Sequence, residues 1–368
     1  MQKSVTLFLI GGFLGAGKTT LISRLANHYM EQGKKVGLVT NDQAYGLVDT
    51  EHLRSKGFDV GEVPGACFCC KFNDLVETAD KLSEDSVPDY IIAEPVGSCT
   101  DLMATVIEPL RQIYGDRFEV GPLAVLLKPE HGQKILSGNG QVGFSPKAAY
   151  IFEKQIEEAN IVAINKVDKL SDEQQQELRR LVDERFPGKK ILLISGRDGN
   201  NVNQLVDSLA DPELACRTVM EVDYDVYAEG EAELGWFNCQ VAANTEDDLD
   251  FDLDKLVFEI VSAISGKLRA NSLESAHLKV IGQTPNDSAI ANHVAADSDV
   301  ELSLASEIRT READLIVNAR VAAEPDQLKT LVLESLEELD QHLGIKLVLN
   351  GIQSFKPGRP VPVHRLNE

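Results

Sequence analysis

One stretch near the start of the chain contains the strongest structural signal in this sequence: Val5–Thr19 reads VTLFLIGGFLGAGKT. Its first part, Val5–Ile10, is a continuous run rich in β-branched and aromatic residues, as in a buried strand, and Lys18–Met30 has apolar residues at helical spacing. Gly12–Thr19 lies between them and matches the phosphate-binding pattern G-x-x-x-x-G-K-[ST]. The sequence therefore predicts a strand, a phosphate loop and a helix in succession.

The predicted phosphate loop combines backbone and side-chain donors. Its glycines allow backbone N–H groups to surround phosphate oxygens at a helix N-terminus, where the helix dipole favours an anion. We expect Lys18 to reach the β- and γ-phosphates and the Thr19 hydroxyl to ligate Mg²⁺. The predicted nucleotide contacts in the loop are Gly12, Gly15, Ala16, Gly17, Lys18, Thr19 and Thr20.

Short apolar strands alternate with helices over the first half of the chain. Strands are predicted at Lys35–Thr40, Tyr90–Ala93, Leu123–Leu127, Ile161–Ile164 and Ile191–Ile194, with helices such as Asn73–Leu82 and Asp172–Phe186 between them. This alternation is typical of a sheet covered on both faces. We predict an α/β fold over residues 1–212: a P-loop NTPase domain with a mostly parallel, doubly wound sheet.

The order of elements changes after Asp211-Pro212. The pattern predicts strands at Leu234–Ala242, His277–Ile281, Asp314–Ala322 and Ile345–Leu349, and helices at Leu253–Leu268 and Pro325–Leu343. The order β-α-β-β-α-β predicts a smaller α+β domain, ferredoxin-like, over residues 213–368. We expect a long loop or insertion at Gln283–Ser306 and a tail, Phe355–Glu368, that is extended rather than packed.

Composition limits the partners. The chain has 368 residues and a formal net charge of -23, most of which lies after residue 212. Because a polyanion repels such a protein, we predict neither nucleic-acid nor membrane binding. No stretch is apolar enough to span a bilayer, and the cysteine spacing does not indicate disulfides, so a cytoplasmic location is expected.

A second nucleotide motif, Asn165-Lys166-Val167-Asp168, follows the predicted strand Ile161–Ile164. A carboxylate in this position can accept two hydrogen bonds from guanine, which adenine cannot offer, and such a site discriminates strongly against the wrong base. We therefore predict GTP over ATP, with Asn165, Lys166, Asp168 and Ser195 as nucleotide contacts. The alternative is an exposed polar turn without a ligand.

Glu94 stands at the carboxyl end of a predicted strand, where sheets of this kind bind ligands. We expect Glu94 to hold Mg²⁺ or its water shell and the backbone N–H of Gly97 to face the γ-phosphate. The predicted catalytic residues are Lys18, Thr19 and Glu94, although a structural ion pair is the alternative for Glu94. Thr40–Asp49 is interpreted as a switch segment ordered by nucleotide and metal.

Three of the six cysteines are crowded into Cys67-Phe-Cys69-Cys70. Thiolates are soft ligands that suit Zn²⁺, Co²⁺ or Cu(I), and closed zinc sites usually have four ligands. Asp42, Asp49, a water or a partner group are candidates to complete the site, so the predicted metal ligands are Cys67, Cys69, Cys70, Asp42 and Asp49. Cys99 is either a further ligand or a buried free cysteine. Structural or redox-active roles for the three thiols stay open.

Four motifs in this order, the phosphate loop, Cys67-x-Cys69-Cys70, Glu94-x-x-Gly97 and Asn165-Lys-x-Asp168, resemble the CobW-like branch of the CobW/HypB/UreG metallochaperone G proteins. The resemblance covers roughly residues 4–212. It implies a GTPase domain followed by a smaller domain, conformations coupled to GTP and metal, and delivery of Zn²⁺ or cobalt to a client. The chain departs from the family in having Ala66 before the first cysteine, Asn41-Asp42-Gln43-Ala44 in the switch segment and scattered histidines.

Together these features predict a slow GTPase that couples nucleotide state to binding and delivery of Zn²⁺ or Co²⁺ to a client metalloprotein. A nucleotide-dependent homodimer is a further predicted partner. The alternative function is a nucleotide-gated activator of a corrinoid or other metalloenzyme, in which the cysteines are structural or redox-active. A P-loop kinase is disfavoured by the Asn-Lys-x-Asp motif.

Overall fold

A parallel sheet forms the centre of the first of two units into which the chain divides. The computed structural model describes residues 4–44, 48–83, 87–137, 145–245, 249–293 and 298–366. The first unit comprises Met1–Gln43, Phe58–Gly230 and Arg359–Glu368, and the second comprises Ala44–Gly57 and Glu231–Gly358.

The sheet of the first unit has the strand order β3-β2-β4-β1-β6-β7-β8, with β5 beside β1, and its pairings are parallel. Its strands are β1 Val5–Gly12, β2 Val36–Asp42, β3 Asp59–Pro64, β4 Tyr90–Glu94, β5 Phe118–Val120, β6 Ala124–Leu127, β7 Ile161–Ile164 and β8 Lys190–Leu193. The helices in this half of the chain are α1 Lys18–Glu31, α2 Val48–Ser55, α3 Phe72–Lys81, α4 Glu108–Ile113, α5 Pro129–Leu136, α6 Pro146–Glu158, α7 Asp172–Arg185, α8 Val202–Leu209 and α9 Tyr224–Glu231. The predicted α/β fold is confirmed.

The central strands are apolar along their whole length because helices cover both faces of the sheet. In β1 the side chains of Leu7, Phe8, Leu9 and Ile10 are all buried, although neighbours in a strand point to opposite faces. All these strands end at the same edge of the sheet. The carboxyl ends of β1, β4 and β7 therefore bring their following loops to one side of the unit.

The second unit is built on a six-stranded antiparallel sheet with the order β13-β12-β11-β15-β9-β16. Its elements are β9 Gly235–Thr245, β10 Phe251–Asp252, α10 Leu253–Ala270, β11 Ser275–Gln283, β12 Ser288–His293, β13 Glu301–Leu304, β14 Arg309–Thr310, β15 Glu312–Val321, α11 Pro325–Leu343 and β16 Ile345–Phe355. The predicted order is present as β9-α10-β11-β15-α11-β16. Among the described residues, no helix combines the length and apolar character that crossing a membrane requires.

Two expectations about this half of the chain are wrong. The predicted loop Gln283–Ser306 contains β12 and β13, because Ala289, Ile290 and Ala291 are buried and β12 pairs with β11 along its length. The segment was predicted as a loop because its small residues give only a weak alternation of apolar and polar positions, even though they pack in a sheet. Residues 294–297 lie outside the described part. The tail is also packed: the backbone N–H of Val363 donates to the carbonyl of Cys69 at 2.8 Å.

The unit boundaries differ from the predicted division at residue 212. The second unit resumes at Glu231 and also includes residues 44–57. In that unit, Val48 at the start of α2 packs with Ile281, Ile290 and Ile316, and its backbone N–H donates to the Asn318 side chain at 3.0 Å. A short helix cannot bury its apolar face alone, so α2 belongs to the sheet that covers it.

Candidate nucleotide and metal site

The phosphate loop has the backbone conformation that its glycines permit. Gly12, Gly15 and Gly17 have φ angles of 133°, 72° and 92°, and Gly17 is the N-cap of α1. A β-carbon on Gly12 would lie 2.5 Å from the carbonyl oxygen of Leu126. The loop therefore depends on glycine at this position both for its dihedral angles and for its packing on β6.

Lys18, Thr19 and Glu94 meet at the carboxyl ends of β1 and β4. The Lys18 ammonium donates to the carbonyl of Gly12 at 3.0 Å and lies 3.9 Å from Glu94 Oε1. The Thr19 hydroxyl donates to the same carboxylate oxygen at 3.2 Å. All three side chains are buried. A hydroxyl and a carboxylate beside a lysine form a donor set that fits Mg²⁺ and the phosphates of a nucleotide.

Gly97 lies directly against the phosphate loop. A β-carbon at Gly97 would be 2.7 Å from a Leu14 methyl group and 3.1 Å from the Leu14 backbone nitrogen. Gln155 on α6 holds this segment from the other side, because its amide donates to the carbonyls of Gly97 and Cys99 at 3.0 and 2.8 Å. Gly97 therefore lies beside the phosphate loop, and the approach of its N–H to the terminal phosphate stays a prediction.

Asn165 connects the phosphate loop to the segment after β8. Its side-chain amide donates to the carbonyl of Ala16 at 2.8 Å, and its carbonyl accepts from the Gly196 N–H at 2.8 Å. Lys166 has a left-handed backbone with φ 61°. It thereby starts a 3₁₀ turn in which Asp168 is exposed, and the Val167 N–H of this turn donates to the carbonyl of Ile194, the residue before the buried Ser195. The motif thus contains one buried bridging amide and one carboxylate that a base could reach.

The thiols of Cys67, Cys69 and Cys70 form a compact cluster. The Sγ–Sγ distances are 2.9 Å for Cys67–Cys69, 3.3 Å for Cys67–Cys70 and 3.8 Å for Cys69–Cys70. A tight turn brings them together, since the N–H groups of Cys70 and Lys71 both donate to the carbonyl of Cys67 at 3.0 Å. The cluster immediately precedes α3, whose N-terminal dipole stabilises thiolates. These three side chains could hold one metal ion.

The thiols shift the pKa values of one another in opposite directions. Hydrogen bonds with Cys69, Cys70 and Cys99 hold the pKa of Cys67 well below its usual range. The hydrogen bond with Cys67 raises the pKa of Cys69 and raises that of Cys70 to about 11. Cys67 is therefore the first thiol to ionise, while an incoming cation would displace the protons of the others.

Asn41 fastens the loop before the cysteines to the end of β2. Its side-chain amide donates to the carbonyls of Val63 and Ala66 at 2.6 and 2.7 Å, and its side-chain carbonyl accepts from the Phe68 N–H at 2.9 Å. The preceding residue, Thr40, is paired in register with Glu94 on β4. Asn41 thus links the nucleotide edge of the sheet to the thiol turn.

Residues 359–366, which we call the strap, lie over the thiol turn. The Val361 N–H donates to Cys70 Sγ at 3.2 Å. The His364 ring packs edge-on against Phe72, with a centroid distance of 4.9 Å. Arg365 donates to the buried Asp101 carboxylate at 2.8 Å and anchors the end of the strap. The strap therefore covers the thiols although it is far from the cysteine motif in the sequence.

The group of side chains that could share an ion does not include the predicted carboxylate ligands. Among the described residues, the His, Cys, Asp and Glu side chains close enough to share an ion are the three thiols alone. Asp42 is half-buried at the end of β2, and its carbonyl accepts from Gly65 at 3.0 Å. Asp49 belongs to the second unit, where it forms an ion pair with Lys279 at 2.5 Å. Their role as ligands stays a prediction; residues 45–47 of the switch segment lie outside the described part.

A protein-family model described as the CobW/HypB/UreG nucleotide-binding domain matches residues 6–192. The chain belongs to this family. It is 36% identical over 104 residues to the zinc chaperone CobW of Sinorhizobium sp, covering 26% of this chain and 29% of that protein. It is 28% identical over 179 residues to the zinc chaperone YeiR of Escherichia coli K12, covering 47% and 49%. Each match thus spans less than half of these relatives.

A solved structure of a family member also aligns with this chain. The Zn(II)-bound YjiA GTPase of Escherichia coli matches with a TM-score of 0.36 and 13% identity, covering 90% of this chain and 98% of YjiA. The family membership shows that the phosphate loop belongs to a nucleotide-binding domain.

Reasoning from the sequence missed three parts of the site: the bridging role of Asn41, the support by Gln155 and the strap. Asn41 had a signal, because a buried-strand pattern that ends in an amide is unusual and needs a partner. Gln155 lies in a helix whose apolar stripe gives no indication of its contacts. The strap had no local signal, since extended proline-containing segments look alike whether packed or exposed.

Proposed function

We propose that this protein hydrolyses GTP and uses the nucleotide state to control the binding and handover of Zn²⁺ or Co²⁺ to a client metalloprotein. The observation that carries the proposal is the short path between two sites. Glu94, hydrogen-bonded to Thr19, is paired in register with Thr40 on β2, and the next residue, Asn41, is hydrogen-bonded to the thiol turn. A change at the phosphates therefore has a short route to the thiols, through β4, the end of β2 and Asn41.

The nucleotide reaction depends on positioning and charge. Lys18 would neutralise charge on the β- and γ-phosphates, and the Gly97 N–H would orient the γ-phosphate for attack by water. The Thr19 hydroxyl and Glu94 carboxylate would hold Mg²⁺, which supplies further positive charge. Asp168, exposed beside the Asn165 bridge, would accept hydrogen bonds from guanine. With no side-chain nucleophile in this set, we expect slow turnover.

The cargo would be a soft cation. Three thiols within one turn suit Zn²⁺ or Co²⁺, and two relatives in this family carry the name zinc chaperone. A carrier that passes its cation onward needs a recipient, so a client metalloprotein belongs to the proposal. A nucleotide-dependent homodimer and a cytoplasmic location stay predictions.

The test is equilibrium binding of Zn²⁺ and Co²⁺ in the presence of a non-hydrolysable GTP analogue and of GDP. We expect the two nucleotides to give affinities that differ by at least about 10-fold, because a ligand shifts an equilibrium only through differential binding. Replacing Cys67, Cys69 and Cys70 together by alanine should abolish binding, whereas Cys239→Ala, at a buried thiol of the second unit, should not. Equal affinities would contradict metal handover and favour a nucleotide-gated activator with structural or redox cysteines.

A further inference from the structure

The strap contacts the thiol turn through its backbone. The N–H of Val361 donates to Cys70 Sγ at 3.2 Å, and the N–H of Val363 donates to the carbonyl of Cys69 at 2.8 Å. The side chains of the two valines instead face solvent, with 69% and 46% of their surface exposed. Main-chain donors, rather than apolar packing of the valines, therefore hold this part of the strap against the turn.

The sequence Pro360-Val361-Pro362-Val363 selects these two donors. Proline has no N–H and favours an extended backbone, in which every second N–H points to the same side. The two valines are therefore the residues of this stretch that can donate towards the turn. Because the prolines restrict the backbone before a cation binds, the donors lose little further conformational freedom on binding.

The end of the strap is anchored away from the thiols. The Arg365 guanidinium donates to the Asp101 carboxylate at 2.8 Å and to the carbonyl of Met220 at 3.0 Å. The N–H of Leu366 donates to the carbonyl of Ala104 at 2.9 Å. These contacts lie within the first unit, so the strap is held over the turn by residues that are not part of the thiol cluster.

Cys70 is the thiol of the cluster that is only half-buried, whereas Cys67 and Cys69 are buried. A thiol that binds a cation gives up its proton and becomes a thiolate, which accepts hydrogen bonds and donates none. An N–H bond to a charged acceptor is stronger than one to a neutral acceptor. The Val361 N–H therefore stabilises the loaded state of Cys70 more than its empty state.

We propose that the strap is part of the metal site, in which the Val361 N–H positions the Cys70 sulfur and stabilises it as a thiolate when Zn²⁺ or Co²⁺ binds. The inference rests on the metal binding in the proposed function and adds to it a donor that lies 291 residues from Cys70 in the sequence. Partners that hydrogen-bond to metal ligands typically contribute about 10- to 100-fold in affinity. The affinity for the cation therefore depends on a strap that is in place.

The test replaces a single N–H by oxygen in the full chain. A synthetic C-terminal segment, ligated to the rest of the protein, carries an ester instead of the amide at residue 361 or at residue 363. Each ester removes one hydrogen bond between the strap and the turn, but only the bond from Val361 is to a sulfur. The Zn²⁺ affinity should fall roughly 10- to 100-fold in the 361 ester. It should stay within about 3-fold of the wild type in the 363 ester.

The thiolate-to-cobalt charge-transfer absorption distinguishes support of the sulfur from a covering role. An N–H donor lowers the energy of the sulfur electrons, so its loss should shift this absorption to longer wavelength in the 361 ester and leave it unchanged in the 363 ester. Val361→Ala keeps the N–H and should match the wild type in affinity and absorption. If the ligated chains do not fold, Val361→Pro and Val363→Pro remove the same two donors, with the same contrast expected.

A wild-type affinity and absorption in the 361 ester would overturn the inference. Equal effects of the two esters would also overturn it, since the strap would then only cover the turn. In both cases nucleotide-dependent metal binding, and with it the proposed function, would stand. A wild type that binds neither ion while hydrolysing GTP would overturn both.

Discussion

The phosphate loop and the thiol cluster belong to the same unit, yet they are built in different ways. The phosphate loop is continuous in sequence, and its shape comes from positive φ angles at Gly12 and Gly17. The thiol cluster combines a turn at Cys67–Lys71, the bridge from Asn41 on β2 and the strap. A site made from one segment survives changes elsewhere, whereas a site made from three can be altered from any of them. This difference would suit the proposed function, in which a stable nucleotide pocket controls an adjustable metal pocket.

Lys18→Ala should separate the two regions most clearly. Loss of its charge at the phosphates is expected to lower GTP hydrolysis by about 10³-fold or more. Metal binding without nucleotide should be unchanged, because the thiols do not depend on Lys18. The measurements are phosphate release and Zn²⁺ titration. Lys34→Ala, an exposed lysine beyond the other end of α1, is the control, and its hydrolysis rate should match that of the wild type. A Lys18→Ala variant with normal hydrolysis would remove the phosphate loop from the proposal.

Glu158→Gln tests, through its pH dependence, the support under the segment after β4, because Glu158 accepts from the Thr100 hydroxyl at 3.3 Å and from the Met103 N–H at 3.0 Å. Burial is the main cause that raises the pKa of Glu158 from 4.5 to about 8. Its contribution to stability is therefore complete below pH 4.5 and is lost as the pH rises towards 8. Between pH 5 and pH 7 the free energy of unfolding of the wild type should fall, relative to Glu158→Gln, by about 3 kcal/mol.

Urea denaturation at pH 5, 6 and 7 measures this difference. The control is Glu157→Gln, because Glu157 is partly exposed and pairs with Lys154 on the surface of α6. Its pH profile should follow that of the wild type. Parallel curves for the wild type and Glu158→Gln would mean that this carboxylate is not held in its neutral form.

Asp168→Asn addresses base recognition in the nucleotide pocket. An asparagine carbonyl can accept from only one of the two guanine donors, and its amide nitrogen repels the other. The preference for GTP over ATP should fall by about 100-fold. Competition binding with both nucleotides measures it, and Asp183→Asn on the exposed side of α7 is the control. An unchanged preference would assign base recognition to other residues.

Arg365→Ala gives the smallest expected effect and concerns the strap. Asp101 would keep its hydrogen bond from Tyr224, at 2.7 Å, but would lose the one from Arg365. We expect a loss of about 1–2 kcal/mol in stability. Cys70 should also react faster with a thiol reagent, because the strap covers it. Arg180→Ala is the matched control, since Arg180 lies outside the strap and pairs with the exposed Glu177 and Glu184 on α7. Equal labelling rates in both variants would show that the strap does not shield the thiols.

The parts of the structure that the sequence predicted well are those determined by interactions between residues close together in the chain. The glycines of the phosphate loop, the strand Ile161–Ile164 and the helix Pro325–Leu343 have the predicted bounds or conformation, because dihedral preference and apolar spacing act within a few residues. Strands β12 and β13 were missed since their stability comes from pairing with other strands, β12 with β11 and β13 with β12. The packing of the tail was missed because it also depends on contacts with distant residues, such as the hydrogen bond from the Val363 N–H to the carbonyl of Cys69.

The order of motifs along the chain was enough to establish a nucleotide-binding domain, its family and a three-cysteine turn suited to a soft cation. Only the folded chain made Asn41 a bridge to the thiol turn and laid the strap across Cys70. A sequence motif reflects interactions between residues that are close together in the chain. Contacts between distant segments depend on how sheets and helices pack, and the free energy of that packing is shared by residues that no short pattern contains.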